Sequence, residues 1–304
     1  MLSIKIRTRA SVRMSRGDRI FQWVVGAILL LMGVLTLYPI YYVVIASISD
    51  PLMVASGQVI LLPRAISVEA YQKLWGNVRI WLGYRNSLFY TFAGTILNLC
   101  ATLPAGYALS RRNMFGRKLV MLYFVFTMYF SGGLIPTYIV IRQLGLINKV
   151  WALLLPNIVS VFNLVIVRSF FESTVPDALY EAAVIDGCKH FRFFFQVVLP
   201  ISPAIIAVMA LYYGLAHWNA YFEPMIYISN EQLQTLQVIM KSVTATPDYT
   251  TAENITPEQL TELIRSKALI KYAIVVVASM PMLILYPFVQ RFFIQGVMIG
   301  AVKG

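Results

Sequence analysis

Apolar residues in this chain come in long unbroken runs, not in the strict alternation of a half-buried strand or the stripe of a surface helix. Six runs stand out, at 21–45, 87–109, 119–141, 151–170, 201–222 and 272–293. A bilayer core about 30 Å thick takes roughly 20 apolar residues of α-helix to cross, and each run is of that order. A helix satisfies its own backbone N–H and C=O groups where there is no water. The runs therefore predict an all-α, polytopic membrane protein with six transmembrane helices. The first run exceeds the apolar core of a cleavable leader, about 7–15 residues, and reads as a retained span.

Between the runs the chain divides into a basic N-terminus (1–20), a six-helix body (21–295) and a short tail (296–304). Two connecting segments, 47–86 and 223–271, are long enough to hold small amphipathic elements. In the second, Thr256 before Pro257, with Gln259 three residues on, reads as an N-cap, a first helical residue and a capping box. The runs themselves carry breakers: Pro104 in the second, Gly132, Gly133 and Pro136 in the third, Pro156 in the fourth, Pro281 and Pro287 in the sixth. Membrane helices tolerate these where neighbours re-satisfy the freed carbonyls.

Composition agrees. The 304 residues are 59% hydrophobic and 12% charged, against about a quarter charged in an ordinary soluble domain. The formal charge of +12 does not point to nucleic acid, because the basic residues lie between apolar runs instead of forming one face. With the N-terminus inside, 15 of the 25 basic residues fall on the inner side, and eight of the 13 acids fall on the outer side. That asymmetry predicts cytoplasmic termini. Cys100 and Cys188 form no framework or ligand spacing, and nothing indicates a metal, redox or covalent chemistry.

Polar residues inside the runs are few: Asn98, Asn157, Asn163, His217 and Asn219. Polar groups at membrane depth are candidates for a translocation pathway, and Asn157, His217 and Asn219 are taken as such. For His217 an interhelical hydrogen bond is the plainer reading.

The segment between the fourth and fifth runs, about 172–200, carries most information. It reads Ser173-Thr174-Val175-Pro176-Asp177, continues through Glu181-Ala182-Ala183 and Asp186-Gly187, and ends at Leu199-Pro200. Ser173 or Thr174 is expected to cap a helix near Pro176, Asp177 to complement its positive end, and Gly187 to close it in the left-handed conformation. The expectation is a short helix, a bend and a second apolar segment.

Glu181-Ala182-Ala183, then Gly187, Val197 and Leu199-Pro200 at these spacings, resemble the EAA loop of bacterial importer permeases, with Val197 where isoleucine is common. The end, Gly296-Val297-Met298-Ile299-Gly300-Ala301-Val302-Lys303-Gly304, is similar to the tail of the small permease of maltose-type sugar importers. Phe130-Ser131-Gly132-Gly133-Leu134-Ile135-Pro136-Thr137-Tyr138 resembles the LplC/YtcP-like oligosaccharide branch. The resemblance implies the transmembrane domain of a type I ABC importer, binding-protein-dependent and resident in the bacterial cytoplasmic membrane as a multi-pass protein. It implies a second homologous permease as heterodimer partner, two ATPase subunits, an extracytoplasmic solute-binding protein and surrounding lipid. Glu181, Ala182, Ala183, Asp186, Gly187, Leu199 and Pro200 would couple to the ATPases, and the tail 300–304 would reach between them. ATP and Mg would sit on the partners, and this chain would bind no cofactor.

No phosphate-binding Gly-x-x-x-x-Gly-Lys-Ser/Thr loop occurs, so the chain is expected not to cradle ATP by that route; the resemblance implies a transporter subunit that is no enzyme, with hydrolysis on a separate ATPase. A self-sufficient ion-driven carrier is the alternative, but His217 is its one candidate ionisable group at depth. A sensor or assembly subunit without transport activity is a third reading.

Overall fold

The computed structural model describes residues 15–244, 268 and 270–287, and among these every regular element is helical. The basic residues 5–13, the 256–263 segment and the tail 296–304 lie outside the described residues. Fourteen α-helices follow in order: α1 Arg16–Ser47, α2 Pro51–Ala55, α3 Glu69–Trp75, α4 Val78–Ser110, α5 Arg117–Tyr129, α6 Leu134–Gln143, α7 Trp151–Leu154, α8 Val161–Thr174, α9 Asp177–Ile185, α10 His190–Phe193, α11 Pro203–Trp218, α12 Phe222–Tyr227, α13 Leu236–Thr244 and α14 Ile270–Pro287. Two compact units, Met1–Val68 and Glu69–Gly304, divide them.

In the first unit, α1 opens with a reciprocal capping box. The Asp18 N–H donates to Ser15 Oγ (3.2 Å) and the Ser15 N–H to Asp18 Oδ2 (2.9 Å). Apolar side chains are exposed all along α1, Trp23 at 80% and Leu30 at 70%. A helix apolar all round is built for lipid or for a partner. Beyond it the chain folds back on the end of α1, with Ser67 N–H donating to Ile48 O (2.9 Å), Tyr38 OH to Ile60 O (3.1 Å) and Tyr41 OH to Leu61 O.

In the second unit α4 is the axis. It spans 33 residues, starts nine residues before the apolar run suggested, and passes through Pro104 without stopping. The early start follows from Asn77, whose side chain caps the helix at Arg79 N (3.1 Å), and from polar residues such as Asn86 that are used by neighbours. One core joins α4 to α8, α10 and α11 through Leu103, Tyr107, Phe171, Phe193, Met209 and Tyr213. Another joins α3, α4, α13 and α14 around Trp218. Glycines permit close packing: a methyl group built on Gly106 would lie 2.4 Å from Val167 Cγ1 on α8.

The described residues show three to five of the six expected spans. Among the described residues, α1, α4 and α14 are each long and apolar enough to cross alone. The pair α5 and α6, bent by 114°, and the pair 190–198 and α11, bent by 89°, bring this to five. The fourth run, 151–170, is not one continuous helix: it breaks at 155–160 between α7 and α8, where Pro156 withholds the N–H that would continue the ladder.

Candidate functional site

Two places gather the residues singled out by sequence. The first is the elbow after α8. Its helix, α9, has no buried residue. Ala178, Glu181, Ala182 and Ile185 recur at i, i+3, i+4 and i+7, one face, and all are exposed. Ile185 is 86% exposed, and Phe191 beyond it 83%. Glu181 makes no ion pair among the described residues. The opposite side is anchored: Ala183 and Tyr180 pack on the core with Cys188, Val197 and Leu199. Tyr180 also stacks on His190 (4.8 Å between centroids), its hydroxyl 2.9 Å from Nε2.

The C-terminus of α9 is a Schellman closure. Asp186 is the C-cap, Gly187 takes φ +76°, its N–H donates to Val184 O (2.9 Å), and the Cys188 N–H donates to Ala183 O (2.8 Å). The expected Gly187 stop is present. The expected N-cap is not: α8 runs on through Thr174, the Ser173 hydroxyl donates back to Phe170 O (3.0 Å), and Pro176 occupies the cap without a side-chain bond.

The start of α9 is held from elsewhere. Arg111, the C-cap of α4, donates through Nη1 to Val175 O (3.0 Å) and Asp177 Oδ1 (3.3 Å), through Nη2 to Phe171 O (3.0 Å) and through Nε to Ser110 Oγ (3.0 Å). Arg111 is one of the 15 basic residues counted to the inner side, and its charge alone marked it in the sequence. Downstream, Phe194–Val198 form a π-helical turn whose bond runs from Leu199 N–H to Phe194 O (3.0 Å). Pro200 has no N–H to donate, and at Leu199-Pro200 the chain turns into α11.

The second place is a cavity of about 710 Å³ in the second unit, lined by Asn98, Thr137, Asn157, Tyr213, His217 and Glu223 among others. His217 Nε2 lies 2.7 Å from Asn98 Oδ1, and Asn98 Nδ2 donates to Asn157 O (2.9 Å) and Ile158 O (2.8 Å). These carbonyls belong to the α7–α8 break, so one amide satisfies backbone that the interrupted helix leaves open. Tyr213 OH joins Thr102 Oγ1 (2.7 Å) to Ser160 N (3.2 Å). His217 and Asn157 are thus brought together, with the interhelical bond expected for His217. Asn219 is not: it ends α11, exposed, with its amide on Leu215 O (3.0 Å). Asn98, passed over as a site residue, is the hub; Gly94 one turn before it on the same apolar helix was the available signal.

Residues 80–299 match the family described as binding-protein-dependent transport system inner membrane component. The chain is 34% identical over 294 residues to the polygalacturonan/rhamnogalacturonan transport system permease protein YtcP of Bacillus subtilis (strain 168), covering 94% of this chain and 99% of that one. It is 35% identical to Protein LplC of the same organism, covering 90% and 91%. Among solved structures it is similar, with TM-score 0.83 and 32% identity over 93% of this chain and 100% of the other, to a chain of a bacterial ABC transporter involved in the import of the acidic polysaccharide alginate.

Proposed function

The chain belongs to the family of binding-protein-dependent transport system inner membrane components, and from that premise we propose that it lines half of a saccharide path and is driven through α9. It is the permease component of a sugar ABC importer, a multi-pass protein of the bacterial cytoplasmic membrane, and ATP hydrolysis lies in a separate subunit.

The observation that carries the coupling reading is the exposed face of α9 beside a core-anchored opposite side. In this reading α9 seats in a cleft of an ATPase subunit, Ile185 fills an apolar contact and Glu181 takes a bidentate pair with an arginine of that partner. Ala182 admits close approach. Closure of two ATPases on ATP then pulls this elbow and that of a second, homologous permease together, and the pair switches from inward- to outward-facing as rigid bodies. Asp186 and Gly187 fix the angle at which the helix leaves the seat, and Leu199-Pro200 the angle at which α11 enters the membrane.

In this topology the chain crosses six times, by α1, α4, α5 with α6, α7 with α8, the 190–198 segment with α11, and α14. Both termini face the cytoplasm, as the excess of inner basic residues supports. The tail 300–304 reaches between the ATPases, and the 223–271 segment meets the solute-binding protein. The cavity around Asn98, Asn157 and His217 is this chain's share of the path, its amides and hydroxyls suited to sugar hydroxyls, and the cargo is an oligosaccharide. The test is the reconstituted importer with Glu181→Ala or Gly187→Pro. Coupled uptake is expected to vanish and ATPase co-purification to weaken; unaltered uptake in both variants would remove the basis of the mechanism. Deleting 244–254 is expected to reduce uptake while sparing membrane insertion.

A further inference from the structure

We propose that Arg111 is a positioning residue that makes α4 follow α9, so that motion received at the elbow reaches the central cavity along one continuous helix. The inference rests on the reading that α9 seats on an ATPase, and goes beyond it by naming the route inward.

Arg111 belongs covalently to α4, whose C-cap it is. Its Nε stays with α4 on Ser110 Oγ, but Nη1 and Nη2 reach other elements: two carbonyls at the end of α8, Phe171 and Val175, and the carboxylate of Asp177, first residue of α9. The side chain is only 14% exposed, with Cζ 5.2 Å from the centroid of Tyr107 in the core. A plain capping role would end with the two carbonyls, since basic side chains often serve helix C-termini. Here the same fork also holds the next helix, across the two-residue joint Val175-Pro176 where α9 would otherwise hinge. Asp177 is 57% exposed, so its charge contribution is screened. What resists hinging is the planar fork with several acceptors in fixed directions, a geometry lysine cannot reproduce.

At its other end the link meets the cavity. Asn98 precedes Arg111 by 13 residues, roughly 20 Å of helix at 1.5 Å per residue. Between them α4 is unbroken through Pro104. Asn98 binds both the α7–α8 break and His217 of α11. A tilt of α9 that keeps the Arg111 bonds must therefore displace the helix carrying the cavity's hub.

The experiment uses the complete importer, both permeases, ATPases and binding protein, in proteoliposomes. Cys100 and Cys188 are replaced by serine, and Thr137→Cys in the cavity wall serves as reporter for a membrane-impermeant maleimide with and without ATP and vanadate. Trapping is expected to change the labelling rate about tenfold with native Arg111. In R111K and R111Q hydrolysis of ATP and co-purification of the ATPases should persist while the labelling change largely disappears. Asp177→Asn, which keeps the carbonyl bonds, should fall between. An R111K importer that hydrolyses and switches as native would overturn the proposal. So would one that no longer assembles, since Arg111 would then merely build the elbow. Glu181→Ala, run in parallel, separates the two ideas. If it keeps ATPase binding and switching, the seat itself is misplaced; if it fails while R111K switches, only the role of Arg111 is wrong.

Discussion

His217 Nε2 stands 2.7 Å from Asn98 Oδ1, and the space for the imidazole exists because residue 94, one turn earlier on the same helix, has no side chain. The pair closes a circuit of three elements, since the amide of Asn98 is already committed to Asn157 O and Ile158 O. Removing the hub therefore strands several polar groups at once. Asn98→Leu, close in volume but without donor or acceptor, is expected to cost about 1–3 kcal/mol. The measurement is the melting temperature of the detergent-purified complex, and an unchanged value would mean that the carbonyls find other partners.

Gly94 makes a sharper case. A methyl group there would sit 2.4 Å from His217 Nε2 and 2.5 Å from Cε1, far inside contact distance. Gly94→Ala should displace the ring, break its bond to Asn98 and reduce uptake. Because the obstacle is one side chain, His217→Ala added to Gly94→Ala should recover stability lost by the single change. Additive losses in that double-mutant cycle would contradict the geometry.

The same logic applies lower on α4. Gly106 faces Val167, 2.4 Å from an added carbon, with Arg168 N at 3.3 Å. Backbone cannot yield as a side chain can, so Gly106→Ala is expected to destabilise by about 1–3 kcal/mol through overpacking. Val167→Ala should relieve only part of it. Thermal unfolding of the two singles and the double reads this directly.

Orientation can be checked without transport. Phe115, fully exposed between α4 and α5, lies on the cytoplasmic side in the proposed topology, and Ile66, 73% exposed before α3, on the outer side. Single cysteines there, in a chain freed of Cys100 and Cys188, should react with an impermeant maleimide from opposite sides of sealed vesicles. Labelling of both from one side would remove the six-crossing arrangement.

How far the sequence went depended on the reach of each signal. Gly187 and the helix before it were legible because a left-handed closure and a fixed spacing are local properties. The exposed apolar length of α1 was legible because hydropathy needs no tertiary knowledge. The break at 155–160 was legible only as a proline, since whether Pro156 interrupts or merely bends depends on Asn98, remote in sequence, being there to receive the carbonyls. Pro104, with the same chemistry, does not interrupt α4. Hydropathy also set the start of α4 too late, because residues 78–86 are ordered by contacts with later elements: Asn86 Nδ2 donates to Gln232 O (2.8 Å) and Arg79 Nη2 to Glu231 Oε1 (2.9 Å). Arg111 was invisible as a link for the same reason. Its partners on α8 and α9, from Phe171 to Asp177, lie 60 to 66 residues ahead.

The uncovered face of α9 also bears on how the cell must handle this protein. If α9 seats on an ATPase as proposed, a newly inserted copy without that partner would display the exposed Ile185, and Phe191 beyond it, to the cytosol, the kind of apolar handle that chaperones and proteases grip. On that proposal its lifetime would be governed by stoichiometry: subunits made in excess would be cleared, and those that find their motor would be shielded.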